Sequence, residues 1–123
     1  MGALESVTVL IVEDEWLVRM ELVDAFEAEG CEIVESASAE DALQRLRDIR
    51  GIGLLMTDIR LLGPMTGWDL AEQARALLPN LAVVYLSANQ PESDRIVQGG
   101  IFLEKPALMR NVVDAAQRVL RLS

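Results

Sequence analysis

Val7-Thr8-Val9-Leu10-Ile11-Val12 runs without a break into Glu13-Asp14-Glu15. A strand with one wet face alternates apolar and polar residues. A β-branched, nearly continuous apolar run reads instead as a strand covered on both faces, as in a parallel sheet. Working outward, Val18, Leu22, Ala25 and Phe26 recur at helical spacing, and Gly30 stands where that helix stops. The same beat then repeats. Cys31–Glu35 reads as a more exposed strand. Ser38 with Asp41 resembles a capping box opening a helix whose inner face is Ala39, Ala42, Leu43 and Leu46, closed by Gly51. Leu54–Thr57 is a short buried strand, followed by a loop rich in Gly and Pro from Arg60 to Gly67. Thr66 with Asp69 starts a helix carrying Leu70, Ala74, Leu77 and Leu78 up to Pro79-Asn80. Leu81–Leu86 makes a fourth strand. Pro91–Gln98 holds a short helix before Gly99-Gly100, and Ile101–Leu103 makes a fifth strand. Leu108, Val112, Ala115, Ala116 and Val119 stripe the last helix. Five strands alternating with five helices predict an α/β protein with a parallel sheet and right-handed crossovers.

Composition narrows the function. The chain has 123 residues, 51% of them apolar, enough for one core and too few for two domains. Twenty acidic residues against 11 basic ones give a net charge of −9, which opposes direct binding to nucleic acid or to an anionic membrane. The absence of histidine excludes His-based triads and His-ligated zinc. Cys31 is the only cysteine, so no internal disulfide forms and a reducing compartment suits the chain. No apolar run approaches the length of a membrane span. Gly2 and Ser6 match a myristoylation pattern, but no basic cluster follows as a second anchor. The expectation is one cytoplasmic domain over residues 1–123 with no output domain.

In a parallel sheet every strand ends on one edge, and ligands bind beyond those carboxyl ends. Glu13, Asp14 and Glu15 follow the first strand and Asp58 the third. Ser87 follows the fourth, and Lys105, the only lysine, stands beyond the fifth. Singly, each has a plain structural reading: an acidic helix start, a turn aspartate, a polar strand end, a surface cation. Together they form one rim. Carboxylates about 4 Å apart repel by roughly 1–4 kcal/mol, so crowding them calls for a raised pKa or a hard cation such as Mg²⁺. An aspartate beside such a cation, with a lysine and a hydroxyl at hand, suits phosphoryl transfer onto the carboxylate.

Val12-Glu13-Asp14-Glu15, Met56-Thr57-Asp58, Leu86-Ser87-Ala88 and Glu104-Lys105-Pro106, in this order, resemble the receiver domain of bacterial two-component response regulators. The resemblance covers essentially the whole chain. It implies a flavodoxin-like, doubly wound sheet of order 2-1-3-4-5. It also implies that Asp58 accepts a phosphoryl group from a phosphohistidine on a histidine kinase or phosphotransfer protein. Such a protein is not a turnover enzyme, although it assists its own phosphorylation and dephosphorylation. Position by position, Asp14, Glu13, Asp58 and the Arg60 backbone carbonyl would hold Mg²⁺, for which Mn²⁺ is an alternative. Lys105 would contact the phosphoryl oxygens and Ser87 would swing toward them. Phe102 would turn inward behind Ser87, its plain alternative being a core strand residue. Arg60 and Asn89 would flank the water path that ends the signal. Trp16 and Trp68 open helices beside the acids, and one of the two is expected to mark a kinase-docking face. A downstream protein target follows from the resemblance, and a homodimer is the arrangement receivers often adopt through their fourth and fifth helices.

Departures from the family pattern are a loop from Asp58 to Gly67 one residue longer than usual, Ser87 for threonine, Ala107 for phenylalanine and Glu13 for aspartate. None removes a required functional group. The alternative reading is an interaction module that keeps the fold and signals without phosphate, against which the intact acid, serine and lysine set argues. An aspartyl-phosphate phosphatase wants a second acid two residues after the nucleophile, where Arg60 stands here. Lys105 reads as a rim group whose truncation costs the fold little.

Overall fold

The computed structural model describes residues 2–88 and 91–122. Strands β1 (Thr8–Val12), β2 (Glu32–Ser36), β3 (Ile52–Thr57), β4 (Ala82–Ser87) and β5 (Ile101–Glu104) form one parallel sheet of order β2-β1-β3-β4-β5. The expected fold class and strand order are both present. Helices α1 (Trp16–Ala28) and α4 (Met109–Leu122) cover one face, and α2 (Ala39–Asp48) and α3 (Gly67–Leu77) the other.

The opening apolar run becomes intelligible in this arrangement. Along β1, Val9 and Ile11 enter the core beneath α1 and α4, among Leu22, Phe26, Val112 and Ala116. Leu10 and Val12 enter the opposite core, among Ala42, Leu43, Leu70 and Ala74. Every side chain from Val9 to Val12 is essentially inaccessible, which is why the segment shows no alternation. The expected inner faces of α2 and α4 are buried as read, except Leu108, which precedes α4 and is exposed. Leu4, which belongs to no periodic pattern, is fully buried in the core under α1. Cys31 packs nearby, its Sγ 3.3 Å from the Leu4 carbonyl oxygen. No helix among the described residues is long and apolar enough to cross a membrane.

One expected element is different. Where a fourth of five helices is expected, between β4 and β5, the described residues make a 3₁₀ turn at Ser93–Arg95, so four α-helices are present among the described residues. The segment lies between Pro91, which has no amide hydrogen to donate, and Gly99-Gly100, with Gly99 at φ +79°. Too few residues remain to pass the costly first turn of an α-helix. Side chains hold the connection instead. Arg95 donates to Asp69 (2.9 Å) and bidentately to Glu72 (2.8 and 3.2 Å) on α3. The Val97 amide donates to the Tyr85 hydroxyl at 3.1 Å.

Helix starts follow the capping chemistry read from sequence, with one refinement. Thr66 and Asp69 form the complete reciprocal box that opens α3. Ser38 caps α2 through the Asp41 amide, but the Asp41 carboxylate turns to Ser36 Oγ (2.7 Å) rather than closing a box. The Thr66 amide, then the Arg95 guanidinium, hold the Asp69 carboxyl below its ordinary value of 3.8. A depressed carboxyl stabilises the fold above its unfolded value, and that stability is lost as pH falls through the lower folded value. Asp69→Asn should therefore cost about 1 kcal/mol at neutral pH. The gap between variant and parent should close as acid neutralises the parent's carboxyl below pH 3.8. Thermal unfolding of both proteins across this range measures it.

Candidate functional site

Backbone pairing continues one residue beyond the strands and assembles the site. In the sheet Val12 lies opposite Ser36 on one side and Thr57 on the other. The Glu13 amide then donates to the Ser36 carbonyl (3.0 Å) and the Asp58 amide to the Val12 carbonyl (3.0 Å). Glu13 and Asp58 are thereby fixed side by side. The Lys105 amide donates to the Ser87 carbonyl (2.8 Å), which carries the lysine in from β5 across the end of β4. Glu13 is 1% exposed, Asp58 8% and Ser87 0%, while Asp14 is half-buried. One carboxylate oxygen each from Glu13, Asp14 and Asp58 lies within 4.8 Å of the others. The acids, the serine and the lysine expected on one rim are brought together there.

Lys105 is more than a rim cation. Its Nζ sits between the acids, 2.8 Å from Glu13 Oε1 and 2.9 Å from Asp58 Oδ2, with the side chain 15% exposed. The remaining carboxylate oxygens accept from the backbone: Asp58 Oδ1 from the Ile59 amide (2.6 Å) and Glu13 Oε2 from the Glu15 amide (3.1 Å). Burial pushes the Glu13 carboxyl above its ordinary 4.5, against the opposing pull of Lys105 and the Glu15 amide, and Asp58 adds to the rise. Burial alone would lower the Lys105 pKa. Its hydrogen bonds to Glu13 and Asp58 outweigh that and raise it above 10.5, so the ammonium stays charged. The cluster is oxygen-rich, negatively charged and reached from the sheet edge, a donor set suited to a hard divalent cation.

The loop after Asp58 is anchored at both ends. The Thr57 hydroxyl donates to the Asp58 carbonyl (2.7 Å), and the Gly67 amide donates to the Ile59 carbonyl (2.7 Å). A Cβ at position 67 would run into the Asp58 carbonyl oxygen, so only glycine lets α3 start this close to the end of β3. The extra loop residue is accommodated by docking on the start of α2. Leu62 bridges to Ser38, and the Met65 amide donates to Glu40 Oε2 (3.2 Å). Arg60 is exposed at the head of this loop. Asn89 lies outside the described residues.

Aromatic placement separates the two tryptophans. Trp68 is buried at 3% exposure and cannot form a docking face, whereas Trp16 is exposed. Trp68 packs against Tyr85 (centroids 4.8 Å) and stacks on Phe102 (5.9 Å). Phe102 is half-buried in this cluster, as its plain reading as a core strand residue expects. Arg19 is a residue that sequence reasoning passed over. Its Nη1 donates to the Glu13 carbonyl (2.7 Å) and its Nε to Glu35 (3.1 Å). Its position one turn into the helix after the acidic run was the available signal.

Residues 9–117 match the response regulator receiver domain family. The chain belongs to this family. The aerobic respiration control protein ArcA of Escherichia coli strain K12 is 32% identical over 119 residues, covering 91% of this chain and 48% of that protein. The transcriptional regulatory protein CssR of Bacillus subtilis is 28% identical over 121 residues, covering 95% of this chain and 52% of that protein. The chain thus spans about half the length of the curated relatives it matches. A response regulator receiver protein from Sinorhizobium medicae superimposes with a TM-score of 0.90 at 29% identity, covering 96% of this chain and 97% of that one.

Lys105 can be tested as the resident counter-charge of the site. Lys105→Met leaves Glu13 and Asp58 facing each other without a cation, at a cost of about 2 kcal/mol for a pair at a partly wet edge. Without divalent cations the loss should be largest at neutral pH. It should shrink as pH falls through the raised Glu13 pKa, because protonation removes the repulsion. Urea unfolding in chelator at several pH values measures this. A variant as stable as its parent at neutral pH would return Lys105 to the rim role read from sequence.

Proposed function

We propose that this receiver domain accepts a phosphoryl group on Asp58 from the phosphohistidine of a histidine kinase or phosphotransfer protein. The observation that carries the reading is the Asp58 carboxylate itself. It is oriented by the Ile59 amide and Lys105, and it faces Glu13 and Asp14 at the carboxyl edge of the sheet. An Asp58 oxygen forms the new bond to phosphorus as the phosphorus–nitrogen bond breaks, and the electron pair stays on the leaving imidazole. Glu13, Asp14, Asp58 and the Arg60 carbonyl are the groups that would hold Mg²⁺, or Mn²⁺ in its place. When bound, the cation supplies positive charge beside the transferring oxygens.

The protein's own groups do the rest. Lys105, charged throughout the physiological range, exchanges a carboxylate for a phosphoryl oxygen with little travel. Ser87 is buried at the end of the adjacent strand, beside Lys105. Its hydroxyl is the group that follows the phosphoryl oxygens, and Phe102 is the aromatic that adjusts behind it. On α1, exposed Trp16, Leu17 and Met20 offer an apolar docking face for the kinase next to the acids. The response passes to a protein target, since a net charge of −9 opposes direct contact with nucleic acid.

Incubation with a small phosphodonor, followed by intact mass and peptide mapping, tests the assignment. One phosphoryl group should appear on Asp58, and it should be absent in Asp58→Asn and in excess chelator. An adduct that survives either change overturns it. Arg60 bears on how long the phosphoryl group persists. From the head of the loop its guanidinium can lean over the phosphoryl oxygens and obstruct water, and it is no general base. Arg60→Ala should shorten the phosphoaspartate lifetime about two- to fivefold, a barrier change of roughly 1 kcal/mol or less, with Mg²⁺ affinity nearly unchanged. Decay of pre-labelled parent, Arg60→Ala and Asn89→Ala is the measurement. Equal rates in all three would leave both residues as loop surface.

A further inference from the structure

The entry to α1 lacks the usual fastening of a helix start. Glu15, at the N-cap, makes no side-chain capping hydrogen bond, and the first turn of α1 contains no acidic residue. The turn that carries Glu13 and Asp14 is held by other means. One tie is the Glu13 amide to the Ser36 carbonyl, at its β1 end. A second is Glu13 Oε2 accepting from the Glu15 amide at 3.1 Å. The third is Arg19, whose Nη1 donates to the Glu13 carbonyl at 2.7 Å while its Nε pairs with Glu35 Oε1 at 3.1 Å.

These ties differ in what happens when the site is used. The second employs the same carboxylate that faces Lys105 and the cation-binding position, so a change of carboxylate partner strains or breaks it. The Arg19 tie grips the backbone and is indifferent to where that carboxylate turns. We propose that Arg19 is a positioning residue: it holds the acidic turn by the Glu13 carbonyl, so that the Glu13 and Asp14 carboxylates stay placed for a divalent cation while their partners exchange. Glu35, just before the end of β2, aims the guanidinium. A planar fork can serve a carbonyl and a carboxylate at once, whereas an ammonium concentrates its donors at one point. The Arg19–Glu35 pair is partly exposed, with side-chain exposures of 19% and 48%, and such pairs add little to overall stability. The contribution of Arg19 therefore appears in the site rather than in the melting temperature. The inference rests on the proposed cation-assisted phosphorylation.

The test compares the parent, Arg19→Gln, Arg19→Lys and Glu35→Gln. Mg²⁺ affinity is measured by calorimetry, and phosphorylation by a small phosphodonor is followed across Mg²⁺ concentration. Melting in chelator monitors the fold. Groups that orient metal ligands typically change affinity by about 10- to 100-fold, so Arg19→Gln should weaken Mg²⁺ binding about tenfold. The loss should appear mainly in the half-saturating Mg²⁺ concentration and less in the rate at saturation. Arg19→Lys should recover part of it, and Glu35→Gln should show a smaller loss in the same direction. Folded Arg19→Gln that binds Mg²⁺ within twofold of the parent overturns the proposal. If Arg19→Gln does not fold, parent-like affinity in Glu35→Gln overturns it instead. A parent that binds no Mg²⁺ removes the cation-assisted reading itself, a distinct result.

Discussion

The hydrogen bond from the Asp58 amide to the Val12 carbonyl is the joint on which the site depends. It extends the β1–β3 ladder by one step and sets two acidic residues next to each other. Left to themselves, carboxylates at that separation move apart, since their repulsion is worth roughly 1–4 kcal/mol. They are held by the strands behind them. Val9, Leu10, Ile11 and Val12 on β1 and Leu54, Leu55 and Met56 on β3 are all buried, and each buried apolar side chain contributes about 1.5–3 kcal/mol. Separating Glu13 from Asp58 means unzipping strands at the centre of both cores. The ladder outweighs the repulsion several times over.

The cost of that arrangement is concentrated where it can be used. Glu13 is almost wholly buried and its carboxyl is harder to ionise than an ordinary one, so the acidic cluster is a place of unfavourable charge. Lys105 offsets part of this from within the chain. One ammonium cannot neutralise the acids fully, and the residual negative charge favours an added cation over none. A fold in which the acids were all exposed would bind a cation weakly, because water would compete for every oxygen. A fold with a second lysine in the cluster would have no need of one. With one ammonium among three carboxylates the cluster is left net negative, and its geometry depends on how firmly the acidic turn is held. That places weight on the backbone ties around Glu13.

Much of this was legible before any coordinates, for identifiable reasons. Continuous apolar runs such as Val7–Val12 mark strands buried on both faces. Strands alternating with helices fix a parallel sheet, and a parallel sheet puts residues 13, 14, 58, 87 and 105 on one edge. The signals that failed were those in which a side chain's direction depends on distant packing. Trp68 follows a glycine at a helix start, a position open to solvent in many helices. Here it points into the aromatic cluster with Tyr85 and Phe102. The ion pairs that Lys105 makes with Glu13 and Asp58 escape any local pattern, because these partners lie 92 and 47 residues away in the chain. The fourth helix was over-read from a segment whose length and flanking Pro91 and Gly99 favour a single 3₁₀ turn.

The 3₁₀ turn in place of a helix changes how this edge of the sheet is held. Among its described residues the connection from β4 to β5 holds a single 3₁₀ turn in place of a full helix, tied chiefly through Arg95 to α3 and Val97 to Tyr85. Both ties lead back toward Asp58. Asp69, which receives Arg95, is also the residue that closes the α3 capping box, and α3 begins at Gly67, lodged against the Asp58 carbonyl. Tyr85, which receives Val97, belongs to the aromatic cluster with Phe102 and Trp68, the residue after Gly67. Packed contacts therefore run without a gap from the end of β3 to the β4–β5 connection by both routes. Contiguity alone does not make a switch; a two-state element must be biased at one end. Among the described residues this connection is held by those hydrogen bonds and by Ile96 and Val97 packed against the core. A small displacement at the start of α3 or at Phe102 acts on a few hydrogen bonds there, instead of on the buried face of a helix.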